Sequence, residues 1–123
     1  MQRFFFYGTL QRGGLYYRQL RLAERARFLS EDRIAGRLYD CGPWPAALIG
    51  ESGIIHGELF ETIDPQLGTE IDAVEGFDPE RPETSEYVRR TIHTTGGILA
   101  IAYHYTRPVD DLTPLPSGRW PIR

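Results

Sequence analysis

The sequence predicts an α+β fold: a small mixed β-barrel, or strongly curved mixed sheet, flanked by two helices and forming a single domain over residues 1–123. Three observations lead there. Strand-like segments outnumber helical ones in the order β-α-β-β-α-β-β, which does not require a continuous parallel sheet. The 123 residues are 41% hydrophobic and 25% charged, a composition that suits one globular core and leaves little room for a second. A single cysteine, Cys41, rules out an internal disulfide, so stability must come from buried apolar surface.

The elements follow in chain order. Gln2 to Tyr7 is a short aromatic run stopped by Gly8, the length and composition of a buried strand. A turn-rich stretch from Gly8 to Gly14 leads into a helical pattern from Leu15 to Phe28, with Leu15, Gln19, Leu22 and Ala26 on one narrow face. Its other side carries Arg18, Arg21 and Arg25, which reads either as an anion-binding stripe or as a solvated face. Ile34 to Tyr39 forms a second strand, and Pro43 and Pro45 then impose a rigid loop. Ile54 to Ile63 is a third strand, in which Gly57 marks a bulge or a close backbone approach.

A helix then opens with Asp64 as N-cap and Pro65 at its first position, repeats Leu67, Ile71 and Val74 on one face, and ends at Gly76. The charged segment 78–86 with its two prolines is a loop. Tyr87 to Thr95 and Ile98 to Thr106 are strands joined by Gly96-Gly97, a two-residue hairpin signal. In the second of them Leu99, Ile101, Tyr103 and Tyr105 share one face and Ile98, Ala100, Ala102 and His104 the other. The tail beyond Arg107 is irregular and is expected to lie against the body.

Charge and composition exclude several classes. Fourteen basic residues, all Arg, against seventeen acidic ones give a formal charge of -3, so no field favours a nucleic acid. No run of about 18 apolar residues is present to span a bilayer, and the apolar start at Phe4 to Tyr7 is shorter than the roughly 7–15 residues of an export signal. The expectation is a cytoplasmic protein. His56, His93 and His104 stand apart from one another and from Cys41, so no metal site is expected.

Two places can carry chemistry. Gly8-Thr9-Leu10, with Gly13-Gly14 behind it, lies between a strand and a helix, where backbone N–H groups are free to bind a carboxylate or oxyanion. A plain turn explains the same pattern. Glu75 is the last residue of an apolar-periodic helix and stands at the edge of the core. Burial, the helix C-terminal dipole and Asp72 all disfavour its charge and raise its pKa toward a general base's range. A solvated helix-end glutamate is the alternative.

The order of motifs adds to this. Phe6-Tyr7-Gly8-Thr9-Leu10, Ile71-Asp72-Ala73-Val74-Glu75-Gly76-Phe77, Tyr87-Val88-Arg89-Arg90 and Ala102-Tyr103-His104-Tyr105 together resemble the gamma-glutamylcyclotransferase-like (AIG2-like) family across nearly the whole chain. The resemblance implies a mixed α/β barrel and the cofactor-independent, metal-free cyclisation of a γ-glutamyl group to 5-oxoproline, with release of an amine or amino acid. It implies Glu75 as general acid/base and Tyr7, Gly8, Thr9 and Leu10 as the loop that holds the substrate's α-carboxylate. Tyr105 is implied to line the pocket, and Tyr87 and Arg89 match a recurring strand pattern. The implied partner is a small γ-glutamyl compound, with neither nucleic acid nor membrane. Two alternatives stand beside the enzyme: a non-catalytic metabolite-binding module of the same fold, and a partner-binding domain that docks through its proline-rich tail and Trp120.

Overall fold

The computed structural model describes residues 1–122, and Arg123 lies outside them. Its elements are β1 (Arg3–Phe6), α1 (Leu15–Gln19), α2 (Leu22–Arg25), β2 (Ala26–Asp40), β3 (Pro45–Thr62), α3 (Leu67–Val74), a 3-10 turn (Pro82–Thr84), β4 (Tyr87–His93), β5 (Leu99–Tyr105) and β6 (Thr113–Pro114). The strands form one mixed sheet in the order β4-β5-β1-β3-β2-β6, curled into a half-barrel, with short helices against it. Among the described residues no helix is long and apolar enough to cross a membrane.

The aromatic run of β1 explains its place at the centre. Alternation sends Phe4 and Phe6 into one core, with Leu22, Phe60, Leu67, Ile71 and Tyr103, while Phe5 and Tyr7 enter a second. That second core holds Ile55, Leu59, Ala100, Ala102 and Trp120. A strand buried on both faces has no use for polar alternation, and β1 shows none after Arg3. It pairs antiparallel with β3, from Arg3 opposite Glu61 to Phe6 opposite Glu58, and parallel with β5 at Phe4 opposite Ile101.

Four sequence expectations need correction. The Leu15–Phe28 helix is two short helices broken at Arg21, whose φ of 57° is left-handed, and Ala26 to Phe28 belong to β2. There Phe28 pairs with Phe60 across the ladder, ring edge to face at 5.7 Å, and this packing overrides the helical periodicity. The strands expected at 34–39 and 54–63 are the C-terminal parts of much longer ones, and Ile63 falls just beyond β3. Pro45 opens β3 because the first residue of a strand can do without its N–H. Residues 50–53 loop out between the pairs Gly36–Ile49 and Ala35–Ile54, which hides the continuity of β3.

The helix expected from Asp64 starts at Leu67. Asp64 Oδ1 accepts the Gln66 N–H at 2.9 Å, so Asp64 and Pro65 make a turn ahead of the helix. The Gly96-Gly97 hairpin has a five-residue connection, since β4 ends at His93 and β5 begins at Leu99. Its tip is held by Asp32, whose Oδ1 accepts the Gly96 N–H at 3.1 Å.

Other readings meet direct observations. At Gly57 a Cβ would stand 2.4 Å from the Phe6 carbonyl oxygen, the close approach that its position in a strand suggested. The arginine stripe is spent internally: Arg18 donates to the Gly13 carbonyl, Arg21 pairs with Glu24, and Arg25 clasps Asp64 and Glu70. The tail adds β6 to the edge of β2 and buries Trp120 to 6% exposure in the second core, so this side chain is not presented for docking.

Candidate active site

The site is assembled where three connections meet at one end of the sheet. The turn after β1 approaches the β2–β3 loop so closely that a Cβ on Gly8 would stand 2.8 Å from Pro45 Cγ. Only glycine fits there. The turn is closed by the Gln11 N–H donating to the Gly8 carbonyl and by Thr9 O accepting from Tyr16 and Tyr17, and none of these bonds uses the amides of Gly8, Thr9 or Leu10.

The turn is also clamped from below. Glu58 is 8% exposed; it accepts the Arg12 N–H at 2.8 Å and the Arg12 Nε at 3.1 Å, and the Arg12 guanidinium lies 3.6 Å from the Phe28 ring centroid. Glu58→Ala is expected to cost about 1.5–3 kcal/mol, the range for hydrogen bonds to a charged group, read as a lower urea midpoint at an unchanged slope.

Glu75 is the C-cap residue of α3 and comes to the turn from the other side. Two cavities meet at its side chain. One, of about 30 Å³, is lined by Tyr7, Gly8, Thr9 and Leu10 together with Pro45 and Glu75. The other, of about 130 Å³, is lined by Thr9, Tyr16, Trp44, Glu75, Glu86 and Tyr87. Thr9, Trp44, Glu75 and Tyr87 border both. A larger open groove of about 770 Å³, past Arg33, His56 and Arg119, reaches neither Glu75 nor Gly8 to Leu10.

Glu75 is half-buried, and it borders both cavities with protein packed closely round its carboxyl. It makes no ion pair or side-chain hydrogen bond among the described residues. Burial, then Glu86, then Asp72 push its pKa up to about 8. The sequence pointed to burial and Asp72; Glu86 comes from the far end of the 78–86 loop. Glu86 is the one residue of that loop in the lining, and buried Ser85 draws the rest together, its Oγ accepting the Asp78 N–H and donating to the Arg81 carbonyl.

Tyr7 and Tyr87 border the same cavity as Glu75. The Tyr7 hydroxyl donates to the Tyr103 carbonyl and the Tyr87 hydroxyl to the Pro45 carbonyl, each at 2.7 Å. Burial above all, and then the charge of Glu75, raises both phenol pKa values, so both stay protonated and hold the backbone beside the site.

Tyr105 and Arg89 are not part of this lining. Tyr105 lies opposite Tyr87 in the β4–β5 ladder and packs on it with ring centroids 5.2 Å apart, so Tyr87 fronts the cavity and Tyr105 supports it from behind. Arg89 donates from Nε to Asp72 Oδ1 at 2.7 Å and from Nη2 to the Gly68 carbonyl at 3.3 Å, fastening α3 to β4.

Sequence reasoning missed Tyr16, Trp44 and Glu86. Trp44 did carry a signal, a tryptophan between two prolines, which is 37% exposed in the folded chain. Among the described residues no group of three or more His, Cys, Asp or Glu is placed to hold a metal. His104, half-buried, instead accepts the Ile49 N–H on Nδ1 at 3.0 Å, beside the loop-out in β3.

Comparison with known proteins bears on the fold and the family. The family model described as Gamma-glutamyl cyclotransferase, AIG2-like, matches residues 4–121. Gamma-glutamylcyclotransferase family protein YtfP of Escherichia coli strain K12 is 39% identical over 84 residues, 68% of this chain. The namesake protein of Citrobacter rodentium has the same identity over the same length. The match spans 66% of each relative's own length, just under two thirds. The solution structure of Escherichia coli ytfP superposes with a TM-score of 0.72 at 32% identity, over 97% of this chain and 96% of that one. An AIG2-like protein from Mus musculus shares the fold, with a TM-score of 0.73 at 22% identity, over 100% of this chain and 97% of its own. With its strand order, its glycine turn and the match over nearly all its length, the chain belongs to the gamma-glutamyl cyclotransferase, AIG2-like family.

Proposed function

We propose that the protein is a cytoplasmic enzyme that cyclises the γ-glutamyl group of a small compound to 5-oxoproline and releases the attached amine, with Glu75 as general acid/base. One observation carries this reading: a half-buried carboxyl with no ion partner among the described residues, its pKa pushed up to about 8, borders both cavities beside the Gly8–Leu10 turn. Membership of the family supports it.

The chemistry suits these parts. The substrate's own α-amine attacks its own γ-carbonyl carbon, the new C–N bond closes a five-membered ring, and the old C–N bond breaks. Proximity is supplied by the substrate itself. The turn amides hold the α-carboxylate, and two protons leave the α-nitrogen, one before attack and one as the ring amide forms. The α-ammonium stands beside its own free carboxylate and is a weaker acid than a chain's terminal ammonium, so a carboxyl raised to about 8 is a far better matched base for it than an ordinary glutamate. Once protonated, Glu75 delivers that proton to the departing nitrogen, then takes the second from the ring nitrogen as the amide forms and passes it to the released amine, which leaves as an ammonium. Tyr7 and Tyr87, committed to backbone carbonyls, keep that end of the sheet rigid around the reacting atoms.

The test is 5-oxoproline release from a panel of γ-glutamyl amides, followed against pH. The expected kcat/KM rises about tenfold per pH unit on the acid side and levels near pH 8, where Glu75 loses its proton. A profile already flat between pH 5 and 7 removes Glu75 as the base. Binding without any 5-oxoproline makes the protein a binding module.

A further inference from the structure

We propose that the open groove of about 770 Å³ binds a phosphate dianion, free or as the end of a small phosphomonoester, between the guanidiniums of Arg33 and Arg119 and beside the His56 imidazole. The groove reaches neither Glu75 nor the Gly8–Leu10 turn, so this site stands apart from the cyclotransferase reading.

The backbone brings the three groups together. Arg33 of β2 lies directly opposite His56 of β3 in the antiparallel ladder, and residues paired in this way share a face of the sheet with Cβ atoms about 4.5–5.5 Å apart. Arg119 comes from the tail, which is seated on the same strand. The His56 N–H donates to the Gly118 carbonyl at 2.8 Å, and a Cβ on Gly118 would stand 1.9 Å from the Ile54 carbonyl oxygen. Gly118 and Trp120 are both buried, so the backbone of the exposed Arg119 between them is fixed.

Charge is left over at this place. Arg3, Arg12, Arg21, Arg25 and Arg89 each pair with a carboxylate. Among the described residues the guanidiniums of Arg33 and Arg119 enter no hydrogen bond or ion pair; only their backbone N–H groups are engaged, with Asp32 and Ser117. Two carboxylates also line the groove, and both are placed elsewhere. Asp32, its charge favoured by Arg33, accepts the Gly96 N–H at the hairpin tip, while Glu31 stands opposite Glu58 and the Arg12 clamp. Burial first, then Arg119, then Arg33 hold the His56 pKa below its ordinary 6.5, and no carboxylate acts on it in return.

That surplus also chooses the ligand. Two guanidiniums match the two charges of a phosphate, and each presents a fork of donors to its oxygens, whereas a carboxylate would leave one of them unpaired. The neutral imidazole has one further hydrogen bond to donate.

The probes are inorganic phosphate, glycerol 2-phosphate and acetate, titrated at pH 7.5 and low salt while the His56 imidazole is followed by NMR with His93 as reference. Both phosphates, dianionic there because their second pKa is near 6, are expected to bind with Kd about 0.1–1 mM and to shift His56 but not His93. Bound phosphate should also move the His56 titration to higher pH, since an anion beside an imidazole favours its charged form. Acetate is expected to bind at least about tenfold more weakly. Arg33→Gln and Arg119→Gln, at exposed positions where the urea midpoint should hold, are each expected to weaken phosphate about tenfold. Arg81→Gln, which removes an exposed guanidinium outside the groove, should leave the affinity unchanged. Tighter binding of the ester assigns the site to a phosphorylated metabolite, and equal binding assigns it to free phosphate. A His56 resonance that stays in place, acetate bound as tightly as phosphate, or an equal loss in Arg81→Gln overturns the proposal. Turnover at Glu75 enters none of these measurements, so either reading can fail alone.

Discussion

Glu75→Gln is expected to abolish 5-oxoproline release, a loss of at least about 10²–10⁴ in kcat, while the protein keeps its fold and gains stability at neutral and alkaline pH. The amide has the shape of the acid and borders the same cavities, but it accepts no proton from an α-ammonium and returns none to the leaving nitrogen. The stability gain follows from linkage. In the folded protein the Glu75 pKa lies at about 8, above its ordinary 4.5, so between those values the native state holds a proton that the unfolded chain has lost. Wild-type stability therefore falls as pH rises through that window, whereas the variant has nothing to titrate. At about 1.36 kcal/mol per pH unit, the shift from 4.5 to about 8 sets an upper limit of roughly 4–5 kcal/mol on the difference. Urea titrations at pH 5, 7 and 9 should show the midpoints of variant and wild type diverging. Retained turnover in the variant, or midpoints that stay parallel across this range, would remove Glu75 from the centre of the mechanism.

That a carboxylate is retained where neutrality is more stable is a mark of function, and it was partly legible beforehand. The end of an apolar helix before Gly76 placed Glu75 at the edge of the core, and periodicity located α3 to within three residues. The aromatic alternation of β1 was equally direct. The breakdown of the 15–28 helix was not, because it is caused by Phe28 pairing with Phe60, a residue 32 positions away, and local spacing carries no record of such a partner. The full lengths of β2 and β3 were hidden for a similar reason: their 50–53 loop-out reads as a terminus. In the site, Tyr87 and Tyr105 look equivalent in sequence, and only the ladder that sets them face to face decides which ring fronts the cavity. Glu86 read as one more charge in an acidic loop, since its influence on Glu75 exists only when α3 and β4 are side by side.

Asp72 joins the stability of that arrangement to its chemistry, and its variants are expected to separate the two. It is 7% exposed, and its Oδ1 accepts both the Tyr103 hydroxyl at 2.5 Å and the Arg89 Nε at 2.7 Å. The Tyr103 carbonyl in turn receives the Tyr7 hydroxyl. One carboxylate therefore fastens α3 to β4 and β5, and through Tyr103 it reaches the end of β1 where the glycine turn begins. Asp72→Ala leaves a half-buried guanidinium and a buried phenol without their acceptor, a change that typically costs about 3–5 kcal/mol and should lower the urea midpoint accordingly. Asp72→Asn keeps an oxygen in place for both donors and should cost less, about 1–2 kcal/mol, the gap between charged and neutral hydrogen bonds. What Asn removes is a negative charge that raises the Glu75 pKa, so the acid limb of kcat/KM should move to lower pH in this variant while turnover persists. A purely structural Asp72 would lower stability and leave that limb where it is. A limb displaced to higher pH would mean that the charges around Glu75 act in the opposite sense to the one the geometry gives them.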